Sequence, residues 1–344
     1  MKRKKVLHVL RSNIYAGAES IAVNIIESLA EEYEFIYSCP KGQIAEILEK
    51  KQISYEPMQH FNVAEVKRII DLVQPDIVHA HDYSASIACA IASHGKRIVI
   101  SHLHHDSPEC RSWGKKALLY AVAVPFLERI IVVSKATVDG TVFEKMIARK
   151  TVILENPVDR KKIREMAEVS EQVQYDLIYV GRLSEKKNPL RFIEIVKLLC
   201  EKGLNIKAAM IGNGELYEAC NALIKQEKLE QNVTLLGYKE NPYSYMKSAK
   251  IFCMTSVEEG YGLAVMEAVS LGLPVLVTPV GNMKDVFQKE EEICMSNTDF
   301  CQKAEMLLKE PEIYAAWKTR MEQYADKIMA PSVYMEKLKE IYGE

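Results

Sequence analysis

The strongest constraint on this chain is a regular alternation of short β-branched runs with amphipathic stretches of helical period. Six runs lie in the first half, at 5–10, 34–39, 76–80, 97–101, 129–134 and 151–154. Five follow in the second, at 175–180, 205–211, 232–236, 249–254 and 274–278. Between them, stretches such as Ser20–Ala30 place Ile21, Ala22, Ile25, Ile26 and Leu29 on one helical face. Leu190–Leu199 does the same with Phe192, Ile193, Val196 and Leu199. Continuous apolar strands joined by helices need both faces covered, which a parallel sheet between helical layers provides. The expected fold is α/β, with two doubly wound parallel-sheet domains facing across a cleft.

A chain of 344 residues is too long for one ordinary core and suits two. The pattern lapses after Leu154, where Glu155-Asn156-Pro157-Val158-Asp159 precedes a charged helix and a fresh strand at Tyr175. The expected division is a first domain over 1–157, a linker over 158–173, and a second domain over 174–310. Helices over 311–344, broken at Pro331, are expected to pack back on the first domain. Ligands of open parallel sheets bind outside the C-terminal strand ends, so the loops that follow strands are where chemistry is sought.

A net charge of −2, with 27% charged and 48% apolar residues, describes a globular protein rather than a disordered tail. It also argues against a nucleic-acid partner, which would call for a strongly basic face. The eight cysteines form no CxxC pair and read as reduced thiols in a cytoplasmic protein. Lys2 to Lys5 precede only a short apolar run, so no signal peptide is expected. The longest apolar run, Ala117–Leu127, has 11 residues, against about 20 needed to span a bilayer. With Trp113, Lys115 and Lys116 ahead of it, this segment fits either a buried helix or one lying on an anionic membrane surface. The second alternative would place the protein at the inner face of the membrane.

Four post-strand loops carry polar chemistry. In the first, Tyr15-Ala16-Gly17-Ala18-Glu19 opens a helix, and Gly17 lets backbone approach an anion, although a plain turn explains it equally. In the second, a strand ends with His79, His81 and Asp82; His81 lies nearer the C-terminal end, and a structural histidine is the alternative. Downstream His102, His104 and His105 lack helical metal-ligand spacing, so no metal is expected. The third, Gly181 to Pro189, offers Arg182 and Lys187 to a diphosphate, or else a solvated lysine pair and an ordinary arginine ion pair.

The fourth loop, Ser256 to Leu263, is the most informative. Gly260, Tyr261, Gly262 and Leu263 precede a helix and leave backbone N–H groups free for hydroxyls or phosphate. Glu259 and Glu267 are eight residues apart, which on a helix means about 12 Å of rise. That is wider than the roughly 5–9.5 Å of a glycosidase pair, and it suits a nucleotide sugar. A dipole-complementing acid at the helix start explains Glu258 or Glu259, but not Glu267 inside an apolar helix.

These residues carry a resemblance. Glu259 to Ala268, followed by Gly272-Leu273-Pro274-Val275, resembles the E-x7-E signature of family 4 glycosyltransferases. Ala16-Gly17-Ala18-Glu19 is similar to the family's GGxE loop, and His79-Ala80-His81 to its H-x-H strand end. Asn156 to Asp159 resembles its N-G-V-D segment, and Gly181-Arg182-Leu183 with Lys187 its GRLxxxK segment. Departures are Ala16 and Pro157 in place of glycines, and Asn188 where glycine often follows the lysine.

The resemblance implies the GT-B fold, with 1–157 as the acceptor-side domain and 174–310 as the nucleotide-sugar-binding domain, and a retaining hexosyltransferase that uses a nucleotide-sugar donor and needs neither metal nor cofactor. It gives Arg182 and Lys187 the diphosphate, Glu267 the ribose hydroxyls, and Glu259 the transferred hexose, with the Gly260–Leu263 amides in support. Gly17 is implied to close on the phosphate, and His81 to lie by the reacting sugar. The acceptor expected from the family is a glycan or lipid-linked glycan of polysaccharide or glycolipid biosynthesis. A nucleotide-sugar epimerase or a phosphorylase on the same fold is the alternative enzyme. A non-catalytic nucleotide-sugar-binding protein is the alternative outside enzymes.

Overall fold

The computed structural model describes residues 3–15, 17–105, 107–168, 173–287 and 291–343. The chain divides into two compact units, Met1–Asn156 with Ser332–Glu344, and Pro157–Pro331.

The first unit is built on six parallel strands: β1 (Lys5–Val9), β2 (Glu34–Ser38), β3 (Ile77–His81), β4 (Ile98–Leu103), β5 (Arg129–Val132) and β6 (Thr151–Ile153). Their order is β2-β1-β3-β4-β5-β6. Side chains alternate across a strand. Leu7, Val9, Val78, Ala80, Val99 and Leu103 therefore share one face, where they form a core with Val66, Ile70, Tyr83, Ala88 and Tyr120 from the covering helices. The same alternation turns His8, His79, His81 and His102 to the opposite face. There the helix Pro331–Ile341 buries Tyr334 and Leu338, and the Tyr342 hydroxyl lies 2.7 Å from Nδ1 of His79.

The second unit has five parallel strands: β7 (Tyr175–Val180), β8 (Ala208–Ile211), β9 (Val233–Gly237), β10 (Ala249–Met254) and β11 (Val275–Val277), in the order β11-β10-β7-β8-β9. Leu177, Ile193, Val196, Ile251, Leu276 and Phe300 belong to its core. Helix Pro189–Glu201 starts after Asn188, whose φ of 47° turns the chain sharply out of the preceding loop.

Two boundaries differ from those expected. Much of the anticipated linker 158–173 is packed structure: the Asp159 carboxylate caps helix Arg160–Met166 by accepting from the Lys162 N–H at 3.0 Å. Arg164 donates to the Ser270 carbonyl at 3.0 Å, and both Arg160 and Arg164 pair with Glu322. The charged helix expected within the linker is present, and its basic residues form an ion-paired face. Helix Pro311–Ala325, which carries Glu322 and the buried Trp317, belongs to the second unit, and only 332–344 belong to the first. Lys2, Ala16 and 169–172 lie outside the described residues.

Candidate functional site

In the second unit, two post-strand loops are tied together. The loop after β7 runs through Gly181 and Arg182 to a short 3-10 turn, Glu185–Lys187. The loop after β10 begins at Thr255, whose hydroxyl donates to the Asn188 carbonyl at 2.8 Å, and the Val257 N–H donates to the Lys186 carbonyl at 2.8 Å. This lacing brings the Lys187 ammonium onto the Glu259 carboxylate and the Lys186 ammonium onto Glu258. Lys187 is therefore no solvated bystander, while Arg182 remains exposed. The cation and the acid predicted for diphosphate and hexose form one ion pair.

Backbone proximity in these loops depends on glycines that the sequence argument did not use. A Cβ at Gly212 would sit 2.0 Å from the Gly181 carbonyl oxygen, and one at Gly214 would sit 2.3 Å from that of Leu183. Gly281, at φ 59°, approaches the Glu259 and Gly260 carbonyls so closely that a Cβ would lie 2.8 Å from each. The available signal was Gly212-Asn213-Gly214 directly after a strand; Gly281 had none.

Gly260, Tyr261 and Gly262 are buried, and Gly262 takes φ 71° to start helix Leu263–Ser270 without a side-chain cap. Because the helix begins after Glu259, the 12 Å helical rise does not describe the separation of Glu259 from Glu267. Glu267 is half-buried, and its Oε1 accepts from the Tyr243 hydroxyl at 3.1 Å. Burial pushes its carboxyl up to about 7, with the Tyr243 hydrogen bond pulling the other way. Tyr243 was not singled out from sequence, since nothing local links it to a glutamate 24 residues on.

In the first unit, Gly17 opens helix Gly17–Leu29 and is exposed. His81 ends β3 and is 1% exposed. Its Nε2 lies 2.9 Å from Nδ1 of His8, and its Nδ1 lies 2.8 Å from Nε2 of His104. Both ring nitrogens are thus engaged, and burial holds the ring neutral by pushing its pKa well below the ordinary histidine value. Metal spacing was judged from His102, His104 and His105. The structure instead groups His81 with His102 and His104 across neighbouring strands.

The segment beyond Trp113 forms a helix with only part of its apolar surface buried. Helix Lys115–Ala123 buries Ala117, Tyr120 and Ala123, but leaves Leu118 51% and Val122 67% exposed. Beside it is a cavity of about 530 Å³ with Phe61, Val63, Ile87, Ala88 and Leu119 in its wall and Lys115 and Lys116 at its lining. Among the described residues, no helix is long and apolar enough to cross a membrane.

Two parallel-sheet α/β units, the second holding cationic and carboxylate side chains at its strand ends, define a GT-B glycosyltransferase. Residues 15–162 match Glycosyltransferase Family 4, and 159–324 match Glycosyl transferases group 1. The chain belongs to the family 4 glycosyltransferases. It is 34% identical over 142 residues to an uncharacterized glycosyltransferase, MJ1059, of Methanocaldococcus jannaschii, covering 39% of this chain and 35% of that protein's length. It is 23% identical to the UDP-Gal:alpha-D-GlcNAc-diphosphoundecaprenol alpha-1,3-galactosyltransferase of Escherichia coli, covering 83% of this chain and 82% of the relative. In fold it resembles Alr3699/HepE of Anabaena, solved with UDP and glucose, at a TM-score of 0.86 and 18% identity over 99% of both chains.

Proposed function

We propose that this glycosyltransferase moves a hexose from a uridine diphosphate sugar to a lipid-linked glycan, with retention of configuration and without a metal ion. The observation that carries the proposal is the Lys187–Glu259 ion pair, held beside the glycine-tyrosine-glycine loop in the unit that also carries Glu267. A diphosphate offers Lys187 a stronger anionic partner, and the released Glu259 becomes an acceptor for hexose hydroxyls. Arg182, exposed at the end of β7, supplies a second cation to the leaving nucleotide. Glu267 accepts from the ribose hydroxyls, and the Gly260–Leu263 backbone supports the sugar. Gly17 serves the phosphate, and His81 serves the reacting sugar. For His81 to reach a hydroxyl, its contact with His104 must open.

A uridine nucleotide and a diphospholipid acceptor are favoured by the names of the relative and the structural neighbour. The apolar cavity with its lysines and the exposed Leu118 and Val122 suit an amphiphilic acceptor, met at the cytoplasmic membrane face. Relatives named as transferases leave the epimerase, phosphorylase and non-catalytic alternatives without support. The test is transfer of radiolabelled sugar from a panel of nucleotide sugars to synthetic polyprenyl-diphosphate glycans, with anomeric configuration read by NMR. Transfer from a UDP-sugar with retention is expected. Donor turnover only to a free epimer or to sugar phosphate would reject the proposal.

A further inference from the structure

The opposite face of the first sheet holds five histidines in contact, and transfer as proposed uses only His81. His8 lies on β1, His79 and His81 on β3, and His102 on β4; His104 follows β4. Strand register sets His8 beside His79 and His81 beside His102. None is more than 9% exposed, and His104, just past the strand end, is the most accessible. Two lines of contacts run through the cluster. One joins His8, His81 and His104; the other joins Tyr342, His79 and His102, with Nε2 of His79 lying 3.1 Å from Nδ1 of His102. Nε2 of His8, Nε2 of His102 and Nδ1 of His104 are buried without a hydrogen-bond partner.

We propose that His81, His102 and His104 form a binding site for one late first-row divalent metal ion, with zinc as the reference case. One nitrogen of each lies within 4.8 Å of the other two. The proton count agrees. A neutral imidazole carries one N–H, so a ring that ligates through one nitrogen must donate from the other. With Nδ1 of His81 as ligand, its Nε2–H donates to Nδ1 of His8. With the unpartnered Nε2 of His102 as ligand, its Nδ1–H donates to His79, which donates in turn to the Tyr342 oxygen. Nε2 of His104 completes the set. Histidine ligands whose other nitrogen is held by a fixed acceptor are the usual arrangement of a metal site.

The metal would also resolve the closest contact. In this tautomer set, Nδ1 of His81 and Nε2 of His104, 2.8 Å apart, present two lone pairs to each other. Zinc–nitrogen bonds of about 2.0–2.1 Å in a tetrahedron require nitrogens about 3.3 Å apart. His104 therefore has to move from His81 by roughly half an ångström and to rotate out of its stack on His102, whose ring centroid lies 4.0 Å from its own, and it lies beyond the strand where such movement costs least. Three imidazoles with neither thiolate nor carboxylate select zinc, copper, nickel or cobalt over magnesium and calcium. The alternative trio, His8, His79 and His81, lies deeper and has no accessible member. Ligation engages both ring nitrogens of His81, so the metal-bound form cannot use that ring in the proposed transfer, and the site belongs to a resting state separate from turnover.

The test uses the full chain, stripped with chelator and then titrated with Co²⁺ and separately with Cu²⁺. One equivalent of Co²⁺ should give tetrahedral visible absorption without a sulfur charge-transfer band, and Cu²⁺ should show EPR hyperfine coupling to three nitrogens. His104→Ala and His102→Gln should each weaken binding at least a hundredfold. His8→Phe, which removes the acceptor for His81, should weaken it about 10–100-fold. His60 and His94 are exposed, and replacing both with alanine should change nothing. Copper coupled to fewer than three nitrogens in the unmutated chain overturns the proposal without recourse to any variant. So does a sulfur band, or binding unchanged in a folded His104→Ala chain.

Discussion

Lys187 and Glu259, 72 residues apart in the chain, are each other's ion-pair partner, and the pair sits where diphosphate and hexose are proposed to meet. Donor binding must part them. Glu259→Gln should therefore raise the affinity for free UDP about three- to tenfold, equivalent to ~0.7–1.4 kcal/mol, by freeing the lysine. The same change should cut transfer at least a hundredfold, because the hexose loses its carboxylate. Calorimetry with UDP, set beside a transfer assay, checks both halves; weaker UDP binding would reverse the assignment.

Glu267 gives a pH signature. Its carboxyl is raised to about 7, and in the proposed role only the ionised form would accept from both ribose hydroxyls. UDP binding should strengthen as pH rises toward 7 and level off above it, with proton release on binding below 7. Glu267→Ala should weaken UDP at least tenfold above pH 7 and remove that proton release.

The same raised pKa acts on stability with the opposite sign. A protonated Glu267 contributes stability that is complete below its ordinary value of 4.5 and lost as pH rises through about 7. Without nucleotide, Glu267→Gln should raise Tm at pH 8 and leave it unchanged at pH 4.5. Melting curves at the two pH values decide it.

Gly281→Ala should displace the Glu259–Gly262 loop without touching any ligand. The residue adopts φ 59°, and its Cβ would press on the Glu259 and Gly260 carbonyls. A left-handed alanine costs about 1–2 kcal/mol, and relieving the clash moves Glu259. Transfer should fall at least tenfold while the Glu267-dependent part of UDP binding persists. An unchanged kcat would show that the loop yields elsewhere.

Chelation should leave transfer intact, because in the proposed site Arg182 and Lys187 would supply the charge that a divalent ion would otherwise bring. Activity abolished by EDTA and restored only by a divalent cation is the contrary result.

His81→Ala should reduce turnover far more than it weakens UDP binding. The histidine lies on the first unit, whereas Lys187 and Glu267 lie on the second. Equal losses in turnover and binding would make His81 a structural member of its cluster.

What sequence could show of this protein follows the range of its interactions. Strands and covering helices declare themselves within ten residues, through runs such as Tyr175–Val180 and the stripe Phe192, Ile193, Val196 and Leu199. The polar loops were visible because each follows a strand. Tyr243 against Glu267, Lys187 against Glu259, and Tyr342 against His79 were hidden, being separated by 24, 72 and 263 residues. The histidine cluster was missed for another reason: cross-strand register joins His81 to His102, and linear spacing carries no trace of register. The charged helix Arg160–Met166 was legible, but its pairing with Glu322 was not, because ion-paired and solvated charges look alike in a sequence.

The first unit is discontinuous: Tyr334, Leu338 and Tyr342 are buried in it, yet they are encoded after all of Pro157–Pro331. During synthesis, a sheet that is otherwise complete at β6 must wait for the intervening 175 residues, which at about 5–20 residues per second is roughly 9–35 s. Throughout that delay, the histidine-bearing face of β1, β3 and β4 lacks its final cover. The second unit can fold as it emerges. The first can be finished only after residues 332–344 have left the ribosome, so a stall or truncation before residue 332 leaves the earlier-made unit incomplete.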